Sequence, residues 1–110
     1  IAAETIVRSP RSDKGISALI GALADAYWQV RLKATRSLGV LKVHEAVDLI
    51  GPGMTHEQPN LRKETAAALG EIAATEGRKH LEPFAQDFDP DVRKTVRWAL
   101  SRIEGESVSS

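Results

Sequence analysis

Three histidines, His44, His56 and His80, are the side chains best suited to metal ligation or to general-base work near neutral pH. They are not spaced as His-x-x-x-His, which would set two imidazoles on one helix face at ligand distance. The sequence places His44 at the start of a short helix, His56 in a loop, and His80 in register with Ala18 and Leu49. That reads as two surface histidines and one packed at a helix interface. There is no cysteine, which removes disulfides, thiolate metal sites and cysteine nucleophiles. No Gly-x-Ser-x-Gly elbow is present to raise a serine nucleophile. Gly51-Pro52-Gly53 lacks the Lys-Ser/Thr pair of a phosphate loop and reads as a helix breaker. Glu71 and Glu76 have no evident low-dielectric pocket that would tune them as an acid and base. No catalytic residue, cofactor site or metal site is assigned, and the expectation is that the chain is not an enzyme.

Binding offers more. Basic residues gather at Arg31, Lys33, Arg36 and Lys42, and again at Arg93, Lys94, Arg97 and Arg102. On a helix, Lys33 neighbours Arg36 and Arg93 neighbours Arg97. Glu64, Glu71, Asp91 and Glu104 dilute both groups, and the whole chain has a formal net charge of +0. A balanced charge gives no electrostatic reason to expect nucleic acid or an anionic membrane. No apolar run approaches the ~18 residues of a membrane helix. Tyr27-Trp28 and Trp98 are aromatic side chains in places that do not fit the apolar stripe. Packing on a neighbouring element explains them, and an anchor for a partner is the competing reading.

The elements that position these residues follow from a repeat. Arg31, Arg62 and Arg93 lie 31 residues apart, and the match extends around them. Val30, Leu61 and Val92 share one column; Ala34, Thr65 and Val96 another. Leu38, Leu69 and Leu100 form a third, and Leu41, Ile72 and Ile103 a fourth. Gly39 and Gly70 match, with Ser101 in the third copy. Val30, Ala34, Leu38 and Leu41 recur at helical intervals and fall on one helix face. Pro59 and Pro90, aligned with Trp28, sit in the first turn, where a missing N–H costs nothing. Asp25 and Asp87 lie just ahead, where a carboxylate favours a helix N-terminus.

A shorter second helix fits between these segments, near 14–25, 44–52 and 76–86. Leu19, Ile50 and Leu81 align there, as do Leu23, Met54 and Ala85. Pro52 and Pro83 align with Gly21, so the second helix ends or bends near that position. A helix pair of this size buries its apolar face only by stacking on neighbours. The expected fold is therefore all-α, an α-α superhelix of antiparallel helix pairs in about three 31-residue repeats. Its domain runs over 1–103, with repeats near 28–58, 59–89 and a partial 90–103, and with 14–25 as a preceding second helix. Residues 1–8 are expected as the tail of a preceding first helix, and 104–110 as a disordered polar tail.

These residues resemble the HEAT-like repeats of the phycobilisome-lyase type. The resemblance rests on Asp87-Phe88-Asp89-Pro90-Asp91-Val92-Arg93, on Leu61-Arg62 through Leu69-Gly70, and on Asp25 through Val30-Arg31 to Leu38-Gly39. It covers nearly the whole chain up to Ile103. It implies a ladder of polar contacts between adjacent repeats, carried here by Asp25, Arg31, Arg62, Asp87 and Arg93. His56 stands where the middle copy would have Asp, and Trp28 where the first would have Pro. It further implies that most members are interaction scaffolds, some assist bilin attachment, some are accessory domains of RNA-modifying enzymes, and some bind DNA.

The functional expectation is a non-catalytic protein–protein interaction scaffold, a fragment of a larger repeat protein in the cytoplasm. The alternatives are an accessory domain of an enzyme system, such as a bilin lyase or an RNA-modifying enzyme, and a nucleic-acid-binding module. No cofactor is expected, and the partner is another protein. Candidate partner-binding residues are Ser17, Asp48, Lys79 and Glu82 on the ridge of second helices, and the Tyr27-Trp28 loop.

Overall fold

A computed structural model describes residues 12–109. The expectation for residues 1–8 lies outside them. The described chain is all-α, a solenoid of stacked antiparallel helix pairs. Helix α1 (Asp13–Ala22) takes the second-helix position, and the long first helices are α2 (Trp28–Val40), α4 (Pro59–Ile72) and α6 (Pro90–Ser109). Between α2 and α4 lies a short α3 (Val47–Ile50), flanked by 3₁₀ turns at His44–Ala46 and Gly51–Thr55. Between α4 and α6 lies α5 (Arg78–Leu81), flanked by 3₁₀ turns at Thr75–Gly77 and Glu82–Phe84. The segment after Ile103 was expected as a disordered tail. Through Ser109 it continues α6 instead.

The prolines explain why the later second helices are composite. Pro52 and Pro83 each fall in the first turn of a 3₁₀ segment, where they interrupt the α-helical bond pattern and tighten the chain. In α1 the aligned residue is Gly21, which keeps its N–H, and that helix stays regular to Ala22. Its start is capped by Ser12, whose hydroxyl accepts from Gly15 N at 3.0 Å.

Core burial follows the repeat columns. Ala34, Thr65 and Val96 are all buried, as are Leu38, Leu69, Ile72 and Ile103. Ile50, Met54 and Leu81 supply the second-helix side of the same cluster. Val43, Ala46 and Val47 join it through the turn into α3, a contribution that a 3.6-residue period does not reveal. At the first junction Val30 is 38% exposed, whereas its equivalents Leu61 and Val92 are buried.

Helices α2 and α4, and α4 and α6, pack side by side. The Leu-Gly column sets how close they come. A Cβ on Gly39 would lie 2.7 Å from Ala68 Cα, and one on Gly70 would lie 2.9 Å from Ala99 Cα. Both contacts are below what carbon atoms tolerate, so these positions require glycine for backbone approach. The ends of α2 and α4 are made differently. Lys42 and Ala73, 31 residues apart, take left-handed backbone conformations with φ 54° and 58°. That is the usual place of a glycine C-cap.

Candidate functional site

The loop that enters each long helix is built around one column, Asp25, His56 and Asp87. Each accepts a hydrogen bond from the backbone N–H two residues on. Tyr27 N donates to Asp25 Oδ1 at 2.8 Å, Gln58 N to His56 Nδ1 at 3.0 Å, and Asp89 N to Asp87 Oδ1 at 2.9 Å. This local bond turns the chain. His56 and Asp87 also meet the arginine 25 residues earlier, in the preceding repeat.

At the second junction the pairing is complete. Arg62 Nε and Nη2 donate to the two oxygens of Asp87 at 2.9 and 3.0 Å. Its Nη1 donates to the carbonyls of His56 and Glu57 at 2.9 and 3.1 Å. Both side chains are largely shielded from water. Arg62's hydrogen bonds hold the Asp87 carboxyl below the usual carboxylate range, against the opposing effect of burial. Arg93 repeats the carbonyl half of the pattern, donating through Nη1 to Asp87 O and Phe88 O at 2.7 and 3.1 Å.

At the first junction Arg31 Nη2 meets His56 Nε2 at 2.9 Å, and Arg31 Nε is buried without a partner. Asp25 makes its bond to Tyr27 N and forms no ion pair with Arg31. The five ladder residues therefore do not act alike: Arg62 and Asp87 form a bidentate pair, Arg93 binds the same loop through its backbone, and Arg31 faces an imidazole.

On the second-helix ridge, Asp48 and Lys79 come together, with Lys79 Nζ 3.2 Å from Asp48 Oδ1. His80 Nε2 reaches the same oxygen at 2.8 Å. His80 and then Lys79, by hydrogen bonding, lower the Asp48 carboxyl below its ordinary range. Ser17, Asp48, Lys79 and Glu82 are all exposed. The ring of His80 also packs on Gly51, where a Cβ would sit 2.2 Å from its Nδ1. His44 is exposed and His56 half-buried. Among the described residues no group of three or more His, Cys, Asp or Glu side chains could hold a metal ion.

The aromatics divide. Tyr27 is 70% exposed in the loop before α2, while Trp28 is half-buried as the first residue of that helix. Trp98 covers Gly70 and lies under the Arg102 guanidinium, 5.8 Å from its ring centroid. Sequence reasoning missed Phe88, which is 100% exposed. Its column holds Ala26 and Glu57, so an aromatic standing among loop residues was the signal available.

This architecture, with an arginine at each junction between repeats, defines a class. The family of HEAT repeats matches residues 16–101, and the chain belongs to it. More particularly, the chain is 35% identical over 102 residues to deoxyhypusine hydroxylase-B of Oryza sativa subsp. japonica, covering 91% of this chain and 34% of that protein. The structure of human deoxyhypusine hydroxylase in complex with glycerol superposes with a TM-score of 0.75 at 28% identity, covering 84% of this chain and 33% of that one. The chain thus spans about a third of the length of these relatives.

Two expectations are corrected. The resemblance to the phycobilisome-lyase type gives way to similarity with deoxyhypusine hydroxylases. The residues that suggested it, Asp87, Arg62, Leu69 and Gly70, hold repeats together and so do not separate one HEAT lineage from another. The expectation of a non-catalytic scaffold, and of no enzyme, is overturned by the same similarity to enzymes. The alternative of an enzyme's accessory domain fits the comparisons better. Among the described residues no helix is long and apolar enough to cross a membrane.

Proposed function

We propose that this chain serves an enzyme of the deoxyhypusine hydroxylase type, as the HEAT-repeat segment that engages the protein bearing the side chain to be hydroxylated. The similarity over 91% of the chain carries this reading. Hydroxylation inserts one oxygen atom of dioxygen into a C–H bond. The other leaves as water with two electrons and two protons from a reductant. Activating dioxygen takes a metal or an organic cofactor. The described residues do not fit a metal: His56 is engaged by Arg31, His80 by Asp48, and no third donor converges on any of the histidines. No step of the oxygen chemistry is assigned to them.

What these residues offer is a docking surface for a protein substrate. Ser17, Asp48, Lys79 and Glu82 lie exposed along the second-helix ridge, and Tyr27 is exposed in the loop before α2, next to the half-buried Trp28. The Asp48–Lys79–His80 cluster gives that ridge fixed charges of both signs. A cytoplasmic setting is part of the proposal. The test is calorimetric titration of the chain with a protein carrying deoxyhypusine. Binding in the range of about 1–100 µM is expected, weakened about tenfold by combined Tyr27→Ala and Asp48→Ala substitution. Absence of heat at concentrations on the order of 1 mM would remove the reading.

A further inference from the structure

Beside the first junction lies a cleft of about 420 Å³, lined by Leu23, Arg31, Leu49, His56, Glu57 and Leu61 among others. We propose that this cleft binds an aliphatic carboxylate, which pairs with the Arg31 guanidinium as Asp87 pairs with Arg62.

The two junctions differ in their supply of hydrogen-bond acceptors. At the second junction one carboxylate accepts three N–H bonds: Arg62 Nε, Arg62 Nη2 and Asp89 N. At the first junction the same seat is filled by an imidazole. A neutral imidazole has one lone-pair nitrogen and one N–H, and a protonated one has no acceptor at all. Yet both ring nitrogens of His56 face donors, Gln58 N at 3.0 Å and Arg31 Nη2 at 2.9 Å. At most one of these contacts is a real hydrogen bond. Arg31 Nε, whose counterpart binds Asp87, is buried with nothing to accept from it. The seat has a surplus of donors and one permanent positive charge. Among the described residues no carboxylate forms an ion pair with Arg31. Glu57, the lone acid of the lining, is exposed and leaves the guanidinium unpaired.

A buried, unpaired donor destabilises the site that holds it, a cost that an incoming acceptor recovers. A carboxylate is the acceptor whose two oxygens match the guanidinium fork. It takes the seat once the His56 ring turns aside, a movement that gives up one mismatched contact and one hydrogen bond to the ring, against the two that the carboxylate accepts from the guanidinium. The walls select the rest of the ligand. Leu23, Leu49 and Leu61 are aliphatic, and Leu49 is 52% exposed at the cleft. Two sources share this chemistry, a free short-chain acid and the terminal carboxylate of a peptide that ends in an apolar residue.

The test follows the Arg31 Nε–H resonance of the ¹⁵N-labelled chain at neutral pH. The probes are butyrate, N-acetyl-Ala-Leu as the free acid, and the same dipeptide as its C-terminal amide, with chloride holding ionic strength constant. The expected result is a saturable downfield shift with the acids and none with the amide. In His56→Asp, which fills the seat with the residue type found at Asp87, the resonance starts near its bound position and acid affinity falls about tenfold or more. A tighter response to the dipeptide acid than to butyrate identifies a peptide terminus as the source. The reverse identifies a free acid. No shift with either acid, an equal shift with the amide, or undiminished affinity in His56→Asp overturns the proposal.

Discussion

Thr65 carries a hydroxyl that the packing does not use. Its Oγ1 is buried without a partner, pressed against the turn at Gly53, where a Cβ would lie only 2.3 Å from that oxygen. Thr35, one residue past the equivalent position in α2, instead returns its hydroxyl to Arg31 O at 2.8 Å. The third copy already solves the problem with Val96, fully buried in the same column. Thr65→Val keeps the shape and removes the orphaned group, so it is expected to stabilise the fold by about 1 kcal/mol in urea denaturation. A loss of stability would show that the hydroxyl has a partner after all. The Asp87 carboxyl gives a second residue-scale expectation. Arg62 holds its folded pKa below the unfolded value, so its contribution is complete above the ordinary carboxylate range, from about pH 4 upward. It is lost as pH falls through the depressed folded value. The wild-type urea midpoint is expected to decline with acidification below about pH 4 more steeply than that of Asp87→Asn. Parallel profiles would sink the assignment.

The long helices declared themselves in the sequence because their apolar columns keep one period through three copies. Val30, Leu61 and Val92 precede the arginines in every copy, and Pro59 and Pro90 mark two of the starts. The second helices were blurred for a physical reason. Pro52 and Pro83 break them into 3₁₀ and α pieces, so no single period describes 44–55 or 75–84. The pairing of Arg62 with Asp87 was implied by the family resemblance, whose polar ladder falls on these two residues. The misfit of Arg31 with His56 needed coordinates, because it depends on which donors meet which ring nitrogen. Ala73 closes α4 with φ 58°, a conformation that costs an L-residue with a Cβ roughly 1 kcal/mol. Ala73→Gly is expected to raise the melting temperature by a few degrees. Lys42 occupies the equivalent place but donates from Nζ to Glu71 O at 2.9 Å, so its replacement by glycine loses a contact while relieving the backbone. At the helix contact itself the sign reverses. Gly70→Ala would drive a methyl into Ala99 and the Trp98 ring, and a cost of about 1–3 kcal/mol is expected from overpacking. A neutral Gly70→Ala would mean that α4 and α6 are not as close as the structure shows.

A stacked array distributes its stability unevenly, because each pair is held by its neighbours and the pair at an edge has fewer of them. The leucine column measures this directly. Leu69 in α4 is fully buried between α2 and α6, whereas Leu100 in α6 is half-buried, with no described element packed beyond it. The two residues have the same chemistry and the same place in the repeat, so the difference between them reports position in the array alone. Leu69→Ala is expected to cost about 2–5 kcal/mol through lost transfer energy and an unrelaxed cavity. Leu100→Ala is expected to cost about half as much, since part of its surface already meets solvent and the gap can fill with water. Urea unfolding of both variants checks the ratio. Equal costs would show that Leu100 is covered in solution, and would place a further packed surface against the outer face of α6.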